Sequence, residues 1–242
     1  MRFLALALCV ATTLLSGCTT RSISDSGYPP ERFYGSRPSN PLYQGELSEF
    51  DVIGVDAGAT PAEEEIRVAL SSSADRISLR KGDSIMLIQS GAMIPDAGML
   101  QHMEQTFSVS VFSGVPEKHK TSNAGYSRSL RLAAAKAGIA TIVVYWGVLE
   151  SGIENLGTKT VSWIPIVGSI LPDEAQTMRI RLKIGVIDVR TGRWEMFTPR
   201  ALDERRSSAR IIREQSDQTQ VHALKEAAYS LAAEAFLARY VR

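Results

Sequence analysis

Two cysteines, three histidines and scattered serines are the residues of this 242-residue chain with the most obvious chemical potential. His102, His119 and His222 lie in three separate segments. The stretch "QHMEQ" lacks the second histidine of the His-Glu-x-x-His helix that binds zinc. Both cysteines, Cys9 and Cys18, stand at the start of the chain, so the body has no Cys-rich metal site. The stretches "QSGA", "FSGVP" and "YSRS" do not fit the Gly-x-Ser-x-Gly turn that presents a hydrolase nucleophile, and their serines read better as cap and turn residues. In "GIENLGTKT", Gly152 and Gly157 have the spacing of a phosphate-binding loop, but Thr158 stands between Gly157 and Lys159. The run Glu63-Glu64-Glu65 is what the positive end of a helix attracts, without a catalytic role. The expectation is therefore no catalytic residue, no metal site and no cofactor beyond a covalent lipid.

Cys18 has its own context. Arg2 is followed by an apolar run from Phe3 to Leu15, about 13 residues, short of the roughly 20 that span a bilayer as a helix. Small residues follow, and Leu15-Ser16-Gly17-Cys18 resembles a bacterial lipobox. The resemblance implies that residues 1–17 are a removed signal peptide and that the Cys18 thiol carries a diacylglycerol. It also implies an acylated new amino terminus. Several acyl chains make a durable anchor where one is marginal. In such lipoproteins an Asp after the cysteine favours the inner membrane. Thr19 stands there instead, which implies the outer membrane, facing the periplasm.

Removing Arg2 with the leader leaves 26 basic residues against 26 acidic ones. A near-neutral body offers no electrostatic footprint for nucleic acid. It contains no second apolar stretch long enough for a membrane helix. Its length suits one domain with a substantial core.

The elements that would position any site follow from pattern. Residues 18–50, rich in Pro, Gly and Ser, read as a tether between the lipid and the fold. Its aromatics, Tyr28, Phe33, Tyr34 and Tyr43, suit packing back on the domain or docking to a partner. Residues 51–242 read as a single αβ domain. Thr60-Pro61 predicts a helix start running to about Ser71. "DSIMLIQSG" predicts a buried strand at Ile85–Ile88, and Met99, Met103 and Phe107 share one face of the next helix. "VSVFSGVP" predicts a short strand, and "SRSLRLAAAKAG" a helix ended by Gly138. "IATIVVYWGVLES" is the strongest strand. In "MRIRLKIGVIDV", Met178, Ile180, Leu182 and Ile184 should face inward and Arg179, Arg181 and Lys183 outward. Thr191-Gly192 predicts a hairpin turn into "RWEMFTP". A final helix is expected over about 220–240, with Leu224, Ala228, Leu231, Ala235 and Leu237 buried. The fold class expected is α/β (α+β), a mixed sheet of about five strands backed by helices.

The stretches "AKAGIATIVVYWGVLE" and "MRIRLKIGVIDVRTGRWE" resemble the TolB amino-terminal-like domain of periplasmic lipoproteins. The curli-secretion lipoprotein and the lipoprotein activators of penicillin-binding proteins carry that domain. The resemblance spans about residues 50–240 and implies a non-catalytic adaptor or assembly factor for an envelope complex. The alternative is a periplasmic hydrolase, a peptidase or esterase, whose site is assembled from scattered residues.

One insertion, residues 152–176, interrupts the pattern. Its centre, "TVSWIPIVGSILP", is apolar, yet Pro165, Gly168 and Pro172 oppose a regular helix or central strand. It fits a loop over the sheet, an apolar patch for a partner protein, or a contact with the membrane interface, where Trp sits well. The residues assigned to partner binding are Trp163, Ile164, Ile166 and Ile170, with Trp163 as anchor. The run is too short for a spanning β-hairpin, so no pore is expected. The partners expected are the membrane through the lipid, an envelope protein, and a second copy of the chain as an open alternative.

Overall fold

The computed structural model describes residues 19–26, 40, 42–71, 76–117, 122–155, 174–208 and 213–242. Cys18, Trp163, Ile164, Ile166, Ile170 and His119 lie outside the described residues. The elements are β1 (Thr19–Ser22), a 3-10 turn (Ile23–Asp25), α1 (Glu49–Ile53), α2 (Glu63–Ser71), β2 (Ser84–Gln89), α3 (Ala97–Glu104) and β3 (Ser108–Val111). There follow α4 (Asn123–Lys136), β4 (Thr141–Asn155), β5 (Glu174–Asp188), β6 (Trp194–Phe197), β7 (Leu202–Ser208) and α5 (Arg213–Tyr240).

The spine is the antiparallel hairpin of β4 and β5, paired from Thr141 with Asp188 to Asn155 with Glu174. Each outer edge carries two strands end to end. Along β4, β2 pairs in parallel with Thr141–Tyr145 and β1 antiparallel with Val148–Ser151. Along β5, β6 pairs with Ile184–Ile187 and β7 with Glu174–Ile180. β3 extends the sheet beyond β2 in parallel. The mixed sheet and C-terminal helix match the expected fold class, with seven strands where pattern gave about five.

Both faces of the β2–β4 region are covered, which is why these strands read as continuous apolar runs. Ile85, Leu87, Val143 and Tyr145 face α3 and α5, meeting Met99, Met103, Tyr229 and Phe236. Met86, Ile88, Ile142 and Val144 face the other way, onto Leu130 and Ala134 of α4 and Val52 of α1. Met178, Ile180, Leu182 and Ile184 of β5 are buried as expected. Arg179, Arg181 and Lys183 project outward, Arg181 pairing with Glu150 and Lys183 with Glu49.

Local chemistry sets the boundaries. Ser48 and Asp51 form a reciprocal capping box at α1. Gly138, at φ +73°, follows Ala137 at the end of α4, a left-handed position that suits glycine. The β5–β6 turn is closed by Asp188, whose Oδ1 accepts from the Thr191 amide and hydroxyl, both at 2.7 Å.

Four expectations need correction. α2 begins at Glu63, so Ala62 and not Thr60 stands at its cap, its amide donating to the Glu65 carboxylate at 3.1 Å. The charged stretch after residue 201 contains β7, and α5 begins at Arg213 instead of about 220. The buried stripe of α5 is rotated toward Tyr229, Ala232, Ala233 and Phe236, leaving Leu231 and Ala235 half-buried. The fourth concerns the tether, because residues 19–26 and 42–50 include β1, the 3-10 turn and the start of α1.

Candidate functional site

The segment that follows Cys18 enters the fold at once. β1 begins at Thr19, and the 3-10 turn buries Ile23, only 1 % exposed, against the face of the sheet at Gly147 of β4. Gly147 makes room for it: a Cβ there would lie 2.5 Å from Ile23 Cδ1 and 2.7 Å from Leu182 Cδ2. The expected spacer is therefore absent from residues 19–26. A lone isoleucine in a polar stretch carried the signal, and it was outweighed by the surrounding Ser, Gly and Pro.

Polar groups fasten this segment from three sides. Lys225 of α5 donates to the Ile23 carbonyl at 2.8 Å. The Ser24 hydroxyl donates to the Ser90 carbonyl at 2.6 Å and accepts from Gln89 Nε2 at 3.0 Å. Ser22 donates to the Glu46 carboxylate. The Leu47 amide donates to Ser90 Oγ at 2.8 Å. Asn40 closes the 3-10 turn, its amide donating to Asp25 Oδ1 at 2.7 Å.

Behind the segment lies a cluster of ionisable and polar side chains from β2, β4 and α5, joined by Asp96. Lys225 donates to Asp96 Oδ2 at 2.9 Å, and the Tyr229 hydroxyl donates to the same oxygen. The Tyr145 hydroxyl donates to Gln89 Oε1 at 2.5 Å, and the Asp96 amide donates to that oxygen at 2.7 Å. Burial holds the Tyr145 and Tyr229 phenols well above their usual range, with the Asp96 charge adding to it. These groups sit at the carboxyl end of β2, where open α/β sheets often bind ligands. Here the end is closed by residues 23–26 and 46–47, and its donors are spent on internal acceptors. Through these bonds the cluster clasps residues 22–26 to β2 and α5. Residues this far apart in sequence carry no joint signal, so sequence reading missed it.

Glu46 stands out within the clasp. Burial raises its carboxyl above the usual range, although the Ser22 hydroxyl bond opposes the shift. Its Oε2 is buried without a hydrogen-bond partner among the described residues.

The remaining candidates do not converge. His102 is half-buried on α3 and His222 exposed on α5. No group of three or more His, Cys, Asp or Glu is arranged for a metal among the described residues. Gly152 pairs with Thr177 inside the β4–β5 ladder, so the first glycine of the loop-like pattern is strand, not phosphate cradle. A surface cleft of about 500 Å³ lies between Ala69, Arg76 and the Thr191–Glu195 turn. Its one hydroxyl, Thr191, is held by Asp188. No helix of the described residues is long and apolar enough to cross a membrane.

Residues 48–239 match the model of a family described as YafT bacterial lipoprotein. No curated protein matches the chain. Among solved structures, one described as a neuraminyllactose-binding hemagglutinin homolog from Helicobacter pylori is similar at 11 % identity and a TM-score of 0.30. That match covers 67 % of this chain and 86 % of the other.

Proposed function

The chain belongs to the YafT bacterial lipoprotein family, and on that premise we propose a non-catalytic adaptor or assembly factor of the bacterial envelope. It is anchored through lipid on Cys18 in the outer membrane, facing the periplasm. The TolB-like succession of strands and helices fits such a role. The observation that carries the reading is the clasp at the carboxyl end of β2. The place where this architecture would hold a substrate is filled by the protein's own anchor-proximal segment. The apolar residues Trp163, Ile164, Ile166 and Ile170 provide the contact with an envelope partner. No cofactor is required.

Two measurements test this. Intact-mass analysis of the mature protein should show Cys18 triacylated, and Cys18→Ser should release the protein from the membrane fraction. A photo-crosslinking residue at Trp163 should give one discrete adduct with an envelope protein. A folded, lipidated protein that gives no adduct there would remove the contact assignment. Hydrolysis of peptide or ester substrates by the pure protein would replace the adaptor reading with an enzyme.

A further inference from the structure

The paired strands continue past the anchor point. β1 runs antiparallel to β4 with Thr19 opposite Ser151. The chain therefore arrives at Thr19 from the end of the sheet at which Asn155 and Glu174 form the last pair. Four steps of β4 separate Ser151 from Asn155, about 13 Å at roughly 3.3 Å per residue. Cys18 is bonded to Thr19, and bonded residues lie about 3.8 Å apart at Cα. β1 and the buried Ile23 leave no slack after that bond. The interfacial layer of a bilayer is only about 5–7 Å deep on each side. A lipid drawn into the bilayer at residue 18 thus brings the end of the β4–β5 ladder to that layer in an upright pose. The residues joining Asn155 to Glu174 include "TVSWIPIVGSILP", whose composition favours that pose over a sheet lying flat.

We infer that the end of the β4–β5 hairpin, residues 151–155 and 174–177, is seated in the phospholipid interface beside the lipid anchor. The inference rests on lipid attachment at Cys18, as proposed above.

The test uses full-length lipidated protein in phosphatidylethanolamine–phosphatidylglycerol vesicles. An environment-sensitive fluorophore is placed at Asn155→Cys or Glu174→Cys, with Arg190→Cys as reference. Arg190 lies past the opposite end of β5, roughly 45 Å along the strand from Glu174. The acylated Cys18 offers no thiol to the dye. The expected result is a blue shift at 155 and 174 and quenching by lipid spin-labelled near the headgroup, with neither at 190. Aqueous emission at 155 and 174 overturns the inference, and so does equal quenching at all three positions, which would mean a flat sheet. Intact mass separates the two readings. Unmodified Cys18 sinks both, whereas lipidated Cys18 with aqueous 155 and 174 sinks this one alone.

Discussion

Ile23 crosses β4 at Gly147, so close that a Cβ on Gly147 would come within 2.5 Å of Ile23 Cδ1. The contact joins the anchor-proximal turn to the core, and either partner can be tested against the other. Overpacking a core costs about 1–3 kcal/mol, and truncating a buried isoleucine about 2–5 kcal/mol. Gly147→Ala and Ile23→Ala should each lower the unfolding free energy by amounts in those ranges, read from urea unfolding. The double variant should lose less than the sum, because the cavity left by Ile23 accepts the new methyl. Strict additivity would show that the two residues are not in contact in solution.

Lys225 has two acceptors, the Ile23 carbonyl and Asp96. Its side chain is 12 % exposed and that of Asp96 33 %, so the pair is only partly shielded from water. Lys225→Met should cost about 1–3 kcal/mol, the penalty for stranding hydrogen-bonding groups that water only partly reaches. The informative readout is hydrogen exchange. Amides of residues 22–26 should exchange faster relative to those of β2. Destabilisation spread evenly over the protein would mean that Lys225 supports α5 without holding the anchor segment.

The surface ion pairs should matter far less. Glu150 pairs with Arg181, whose side chain is 54 % exposed. Exposed pairs contribute about 0–1 kcal/mol. Glu150→Gln should therefore leave the urea midpoint almost unchanged at moderate salt. A loss above about 2 kcal/mol would show that this edge of the sheet is far better shielded than its exposure implies.

Five of the seven tyrosines have phenols raised above their ordinary range. Burial pushes Tyr126 and Tyr240 up to about 12, with Glu117 and Glu195 respectively adding to it. A folded pKa above the unfolded value contributes stability that is complete below pH 10 and lost as pH rises toward 12. Phenolate absorbance from these five tyrosines should thus appear above pH 10, in a cooperative step that coincides with loss of circular dichroism. A single smooth titration of all tyrosines near pH 10, with the fold intact, would contradict the buried assignments.

Legibility in the sequence tracked how an element is stabilised. β2, β4 and β5 announce themselves because burial dictates their residue types along the whole strand, continuously at Ile85–Ile88 and alternately at Met178–Ile184. β1 and β7 do not. "TTRS" and "LDERRSS" have no apolar pattern, and they pair because the long β4–β5 hairpin presents two edges beyond the reach of β2 and β6. Such a strand is specified by the backbone groups of its neighbour, which leave no mark on its own residues. The clasp was hidden for a related reason. Gln89, Asp96 and Lys225 each look like an ordinary surface residue until the fold brings them together.

Glu46 supplies the prediction in which the sign decides most. Burial raises its carboxyl, and the Ser22 hydroxyl bond only partly offsets that. The folded state therefore binds this proton more tightly than the unfolded chain does. By linkage, the stability contributed is complete below the unfolded pKa and is lost as pH rises through the raised folded one. At neutral pH the ionised group is a net cost. Glu46→Gln keeps an oxygen for Ser22 and removes the charge. Relative to the variant, the native protein should lose stability as pH rises above the ordinary carboxylate range, read as a growing gap in thermal midpoints. Ser22 precedes Ile23 directly, so exchange at residues 22–24 should slow in the variant at pH 7. A native protein that gains on the variant as pH rises would mean that the ionised Glu46 is stabilised in the fold, with a partner for Oε2.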